Sequence, residues 1–168
     1  MEELRKQLSN IKNSEIEQFS LNGCITIGKI VDMYDGDTCK IVLLVNNVLQ
    51  KFNCRLLGLD TPEMKPLLSK EHREQEILNA HRCRNKLLSL STNCQCLLDA
   101  QMKKPECKKL LEGNHKIIKV ECHEFDKYGR LLVNLYSDEQ SDKCINQILI
   151  DEGYAKAYDG GTKSVFTY

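Results

Sequence analysis

The sequence carries no excess of charge of either sign: 24 lysine and arginine residues oppose 24 aspartate and glutamate residues, for a formal net charge of zero. A neutral chain generates no strong long-range field, which removes the simplest reason to expect a polyanion partner. Such a partner has to be held by a local patch or through a metal ion. Long apolar runs are also missing. No segment approaches the run of about 18 residues that a membrane span needs, and the opening MEELRKQLSNIKNSEIE has no stretch suited to a signal peptide. There is no internal repeat and no low-complexity block, and the 41% apolar and 29% charged content fits a folded domain. Nine cysteines cannot all pair. The expectation is therefore a reduced, intracellular protein whose thiols are mostly small core residues.

What is present is a series of short periodic segments in 168 residues, enough for one domain with a core. Leu4, Leu8 and Ile11 fall at helical spacing and predict an amphipathic helix within an N-terminal extension, residues 1–20, ahead of a single domain over 21–168. Ile25 to Val31 predicts a strand that ends at Asp35-Gly36. TCKIVLLVNNVLQKFNCRLL predicts a hairpin turning at Asn46-Asn47, because asparagine tolerates positive φ. In its second arm Phe52, Cys54 and Leu56 alternate with Lys51, Asn53 and Arg55, so Arg55 points away from the apolar face. Ser69 is expected to cap a helix over about 70–90, with Ile77, Ala80, Cys83, Leu87 and Leu90 as its apolar stripe. The charged QMKKPECKKLLEGN reads as an excursion at about 99–114 with a single helical turn. HKIIKVECHEF and LLVNLY predict two further strands joined by DKYGR. Ser141 or Asp142 is expected to cap a last helix that Gly153 ends. Three meandering strands, a helix, two strands and a helix predict an α+β fold on a five-stranded OB-type barrel.

Four clusters carry the chemistry: Asp35-Gly36-Asp37-Thr38, Arg55, Asp60-Thr61-Pro62-Glu63, and Asp126-Lys127-Tyr128-Gly129-Arg130. Each alone reads as an ordinary turn, since Gly, Asp and Pro are turn residues. Together they say more. Asp37 starts the second strand and Asp60 follows the third, so an antiparallel hairpin brings them to the same end of the sheet. Two adjacent carboxylates repel unless a cation neutralises them, and hard oxygens favour Ca²⁺ or Mg²⁺. No His or Cys lies in the clusters, which argues against zinc there. A divalent ion flanked by Arg55 and Arg130 suits a phosphodiester, with Glu63 as a base or orienting group for attacking water.

DGDT at 35–38, RLLGLDTPE at 55–63 and DKYGRLLVNLY at 126–136, in that order, resemble the staphylococcal nuclease (thermonuclease-like) family. NQILIDEGYAKAY at 146–158 is similar to the segment that follows in that family, so the resemblance covers about residues 24–158. It implies a five-stranded OB-fold with a long helix between strands 3 and 4, a C-terminal helix, and here an added N-terminal helix. The implied activity is Ca²⁺-dependent hydrolysis of DNA or RNA phosphodiesters, with another divalent ion as a substitute and single strands preferred. By motif position Asp37 and Asp60 ligate the ion through carboxylates and Thr61 through its carbonyl. Glu63 is the general base, Arg55 and Arg130 clamp the phosphate, and Lys127, Tyr128 and Tyr158 line the nucleotide pocket. The chain departs from the family in its N-terminal extension, in the insertion at about 99–114, in its neutrality and in the absence of a final helix after Tyr158. Weaker, more salt-sensitive binding to bulk nucleic acid follows from that neutrality. The expectation is a monomer, with the N-terminal helix as the element suited to self-association.

The competing reading is a non-catalytic OB-type module that binds nucleic acid or protein. All five charged positions are retained, and a binding module needs no metal-activated water, so catalysis is favoured. Cys94, Cys96, Cys107, His115, Cys122 and His123 match no standard zinc spacing and read as scattered residues. Lys103, Lys104, Lys108 and Lys109 read as a solvated loop.

Overall fold

Asn46 and Asn47 both take positive φ, 50° and 61°. The tight turn they form matches the twist of its flanking strands and fixes their pairing. The computed structural model describes residues 1–161 and 166; residue 168, the expected end of the domain, lies outside them. The turn joins β2 (Thr38–Val45) to β3 (Val48–Leu56), with Thr38 opposite Arg55 and Cys39 opposite Cys54. β1 (Ile25–Met33) pairs antiparallel with β2, and β5 (Ile118–Phe125) pairs with both β1 and β6 (Leu131–Tyr136). β6 runs parallel to β3 and closes the barrel in the order β1-β2-β3-β6-β5. The five-stranded OB-type expectation is the observed architecture.

Closure follows from the period of two. Ile30, Ile41, Leu43, Cys54, Leu56, Ile118, Val120, Leu131, Val133 and Leu135 point inward and are essentially fully buried. Two short strands lie outside the barrel. β4 (Leu59–Asp60) pairs with β7 (Lys156–Ala157), a two-stranded sheet that no periodicity announces because each strand has only two residues.

The long helix, α2 (Arg73–Ser91), starts later than expected. Ser69 does not cap it. A turn closed by the Lys70 N–H on the Leu67 carbonyl intervenes, and His72, at φ 54°, precedes the first helical turn. Ala80, Cys83 and Leu87 are buried as expected, whereas Ile77 and Leu90 are half-buried. Glu76, Arg84, Asn85 and Leu88 are buried as well, because two sides of the helix are covered. On one of them Asn85 Nδ2 donates to the carbonyls of Leu97, Leu98 and Ala100, and Arg84 Nη2 to that of Met102.

Those bonds tie down the insertion, which is more than a single turn. α3 (Lys104–Glu112) has Pro105 in its first turn and the Glu106 carboxylate accepting from the Lys103 N–H, and it sinks Cys107 and Leu111 into the core. The last helix, α4 (Ile145–Asp151), is preceded by Cys144 rather than capped by Ser141 or Asp142, and Gly153, at φ 78°, lies just beyond its end as expected. Asn146, fully enclosed at its start, donates to the carbonyls of Leu57 and Val133 and accepts from the Leu135 N–H.

The N-terminal helix is α1 (Glu2–Ser9), shorter than the pattern suggested and with no buried residue. Contact with the barrel begins further on, where the Phe19 and Phe125 rings lie 6.4 Å apart and Leu21 joins the core. The six possible zinc ligands do not converge. Cys122 faces the barrel interior, while His123 faces outward and shares a hydrogen bond with Asn134.

The DGDT turn is packed tightly onto α2. A Cβ added to Gly36 would lie 2.2 Å from the Cys83 sulfur and 2.9 Å from its Cβ. Gly36→Ala is therefore expected to destabilise the fold by about 1–3 kcal/mol, the usual cost of overpacking, as read by urea unfolding. Restoration of stability in Gly36→Ala/Cys83→Ala would assign the loss to this contact.

Candidate active site

All nine residues singled out in the sequence line one cleft of about 500 Å³. Three segments deliver them: the start of β2, the end of β3 with the loop after β4, and the β5–β6 turn. Tyr158 arrives by a fourth route. The β4–β7 pairing and the bond from the Tyr158 N–H to the Gly58 carbonyl (2.9 Å) bring it to the cleft wall.

Arg55 is the hinge of the arrangement. One terminal nitrogen pairs with Asp37 Oδ2, and the other donates to the Leu59 carbonyl at 3.1 Å and reaches Asp60 Oδ1 at 3.4 Å. Asp37 Oδ1 accepts from the Thr38 hydroxyl at 2.7 Å. Both aspartates are buried, with the Thr61 backbone next in line. The β2–β3 register makes this possible, since Arg55 lies opposite Thr38 and the Leu56 N–H donates to the Asp37 carbonyl.

Asp35 completes the acidic wall. Its Oδ1 accepts the backbone N–H of Asp37 and Thr38 at 3.1 and 2.8 Å, which shapes the turn. Burial first, and then the neighbouring Asp37 charge, push the Asp35 carboxyl up to about 7 despite those bonds.

Arg130 is held differently. Its Nε donates to Asp126 Oδ2 at 2.7 Å, and the other oxygen of Asp126 accepts the backbone N–H of Tyr128 and Arg130, both at 2.9 Å. Burial alone would raise the Asp126 carboxyl, but the bonds from Arg130 and Tyr128 pull it below the usual range. The two terminal nitrogens of Arg130 have no partner among the described residues. Its guanidinium and the Lys127 ammonium lie 5.6 and 5.1 Å from the exposed Tyr128 ring.

Glu63 stands on the rim, exposed, and its backbone N–H donates to Glu76 Oε1 at 3.1 Å. Glu76 is 1% exposed and also pairs with Lys70. This buried carboxylate thus ties the DTPE loop to α2. Sequence reasoning missed it and Tyr34, and it placed Asp35 and Thr38 in the DGDT cluster without giving either a role. The signal for Glu76 was its spacing with Ala80, Cys83 and Leu87 on a single helix face.

Among the described residues, no three Asp, Glu, His or Cys side chains form a group that could hold a metal ion by themselves. The cleft offers hard oxygens instead: two buried carboxylates, a carbonyl position at Thr61, and a third carboxylate at Asp35. Such a donor set fits a cation that keeps several waters, and does not fit a metal that seeks thiolate or imidazole.

A family model described as "Staphylococcal nuclease homologue" matches residues 53–167, more than half of the chain. No curated protein matches the chain. The match begins within β3 and leaves out the DGDT turn, so strand pairing is what joins Asp35 and Asp37 to the matched segment.

Folding raises the Asp35 pKa, so the folded state binds this proton more tightly than the unfolded chain. The linked stability is complete below the ordinary carboxyl range and is lost as the pH rises through about 7. In chelator-treated protein, thermal unfolding should therefore fall off between about pH 4 and pH 7 more steeply in the wild type than in Asp35→Asn, which keeps the accepting oxygen. Equal slopes would remove Asp35 as the source.

Proposed function

Because the chain belongs to the staphylococcal nuclease homologue family, we propose that it hydrolyses phosphodiester bonds of DNA or RNA in this cleft with the help of Ca²⁺. The observation that carries the reading is the meeting of Arg55, Arg130, Asp37, Asp60 and Glu63, from three separate segments, around one opening. A purely structural ion-pair network has no use for an arginine whose terminal nitrogens are left without partners at a cleft wall. A scissile phosphate does.

Asp37, Asp60 and the Thr61 carbonyl are the groups that would hold the ion, with water in the remaining positions. Its chemistry there, when bound, is to neutralise charge on a phosphoryl oxygen. Arg130 donates its two terminal N–H groups to the phosphate, in the fork geometry that suits two oxygens at once. Arg55 lies within reach of both aspartates and the cleft, so its donors can be shared between the carboxylates and a phosphoryl oxygen. Glu63 accepts a proton from the water that attacks phosphorus. The new P–O bond forms as the bond to the leaving oxygen breaks, and Arg130 hydrogen-bonds that oxygen as charge builds on it. The loop bond to Glu76 sets the height of Glu63 above the cleft. Lys127, Tyr128 and Tyr158 receive the adjoining nucleotide. The exposed Tyr128 ring suits an unstacked base, which favours single strands.

Purified protein should cleave single-stranded DNA or RNA with added Ca²⁺ and stop when the ion is chelated. Glu63→Gln and Arg130→Ala should each lower the rate by about 10²–10³-fold while the unfolding midpoint is kept. Binding without cleavage in the wild type would instead establish the non-catalytic module. Full activity in both variants would overturn the assigned roles.

A further inference from the structure

The side chains on the outer face of β1–β3 form rows that lead away from the cleft. Antiparallel pairing places residues directly opposite each other on one face. Next to the row of Thr38 and Arg55 lies Asp32, Lys40 and Asn53, then Lys29, Val42 and Lys51, then Leu44 and Leu49. Successive rows are two residues apart, about 7 Å, a step comparable to the spacing of phosphates along a stretched single strand. The carboxylate in these rows, Asp32, is already matched by Lys40 at 3.8 Å. Lys29 and Lys51 flank Val42, and neither has an ion-pair partner among the described residues. Lys51 is exposed and Lys29 half-exposed. The next row is apolar and exposed, with Leu44 at 55% and Leu49 at 73%, so the basic stretch has a definite end.

We propose that this face is a phosphate track: Lys40, and above all Lys29 and Lys51, hold the backbone of the single strand as it leaves the cleft. The inference rests on the nucleic-acid reading of the cleft. In a chain with zero net charge, two unpaired ammonium groups in line with Arg55 are a local concentration of positive charge. The track extends the footprint beyond the scissile phosphate by about two rows, roughly 14 Å. It selects longer single strands over very short ones without reading their sequence, because phosphate contacts carry no base information.

The experiment is equilibrium binding in chelator, where cleavage does not interfere, using labelled oligonucleotides of about 4 and about 16 nucleotides, the range covered by OB folds. Lys29→Gln/Lys51→Gln should weaken binding of the longer strand several-fold at low salt. It should also make the slope of log K against log salt shallower by about 1.4, the release of two phosphates' counterions at about 0.7 each. Binding of the tetranucleotide should be unchanged. Lys108→Gln/Lys109→Gln on α3 makes the same change in net charge and should leave both strands unaffected. Equal losses in the two double variants, or an unchanged slope in the first, would overturn the track. A wild type that binds with the expected slope but never cleaves when Ca²⁺ is restored would overturn the nuclease reading and leave the track standing.

Discussion

The Arg55 guanidinium spanning Asp37 and Asp60 is the contact on which the rest of the site depends. It joins the start of β2, the end of β3 and the segment that follows β3. The bridge exists only in one register. A slip of one residue between β2 and β3 would turn Arg55 into the barrel and Cys54 out of it. The Asn46-Asn47 turn and the apolar alternation on both strands exclude that slip. Local sequence chemistry at one end of the hairpin therefore positions charge at the other. Both aspartates are nearly buried, so loss of the guanidinium would take a paired cation away from two carboxylates that stand beside a third at Asp35.

The two arginines divide the work by how they are held. Arg55 is committed to carboxylates and a carbonyl through both terminal nitrogens. Arg130 spends only its Nε on Asp126, and the same carboxylate also shapes the Asp126–Arg130 turn. One guanidinium builds the acidic wall and the other is presented to what enters. Asp126 holds Arg130 and the turn together, which on the nuclease reading makes it a positioning residue.

Much of this was legible in the sequence because the barrel rests on period-two alternation with few exceptions, and because the charged clusters fall at strand ends. Asn46-Asn47, the inward run from Ile118 to Cys122 and the outward Arg55 follow directly from that pattern. Three features did not show. α3 was hidden by charge, since only Cys107 and Leu111 of its nine residues reach the core. The start of α2 was misplaced because a good capping residue at Ser69 lies in a turn stabilised by other bonds, and propensity yields to that context. Glu76 was passed over because a glutamate on a charged helix reads as solvent-facing. Its burial depends on meeting the Glu63 backbone and Lys70, contacts that local sequence does not encode.

Neutrality and nucleic-acid binding are compatible once charge is considered by location. A strongly basic chain attracts a polyanion from a distance and holds it loosely anywhere. Here the acidic residues offset the basic ones overall, so little long-range attraction remains and affinity has to come from short contacts in line with the cleft. Lys29, Lys40 and Lys51 lie on the face that carries Arg55. The exposed N-terminal extension mixes the two signs instead, with Glu2, Glu3, Glu15 and Glu17 against Arg5, Lys6 and Lys12. On the nuclease reading, a zero sum with lysines gathered in line with Arg55 favours a strand bound along the sheet, at the expense of how fast it is captured.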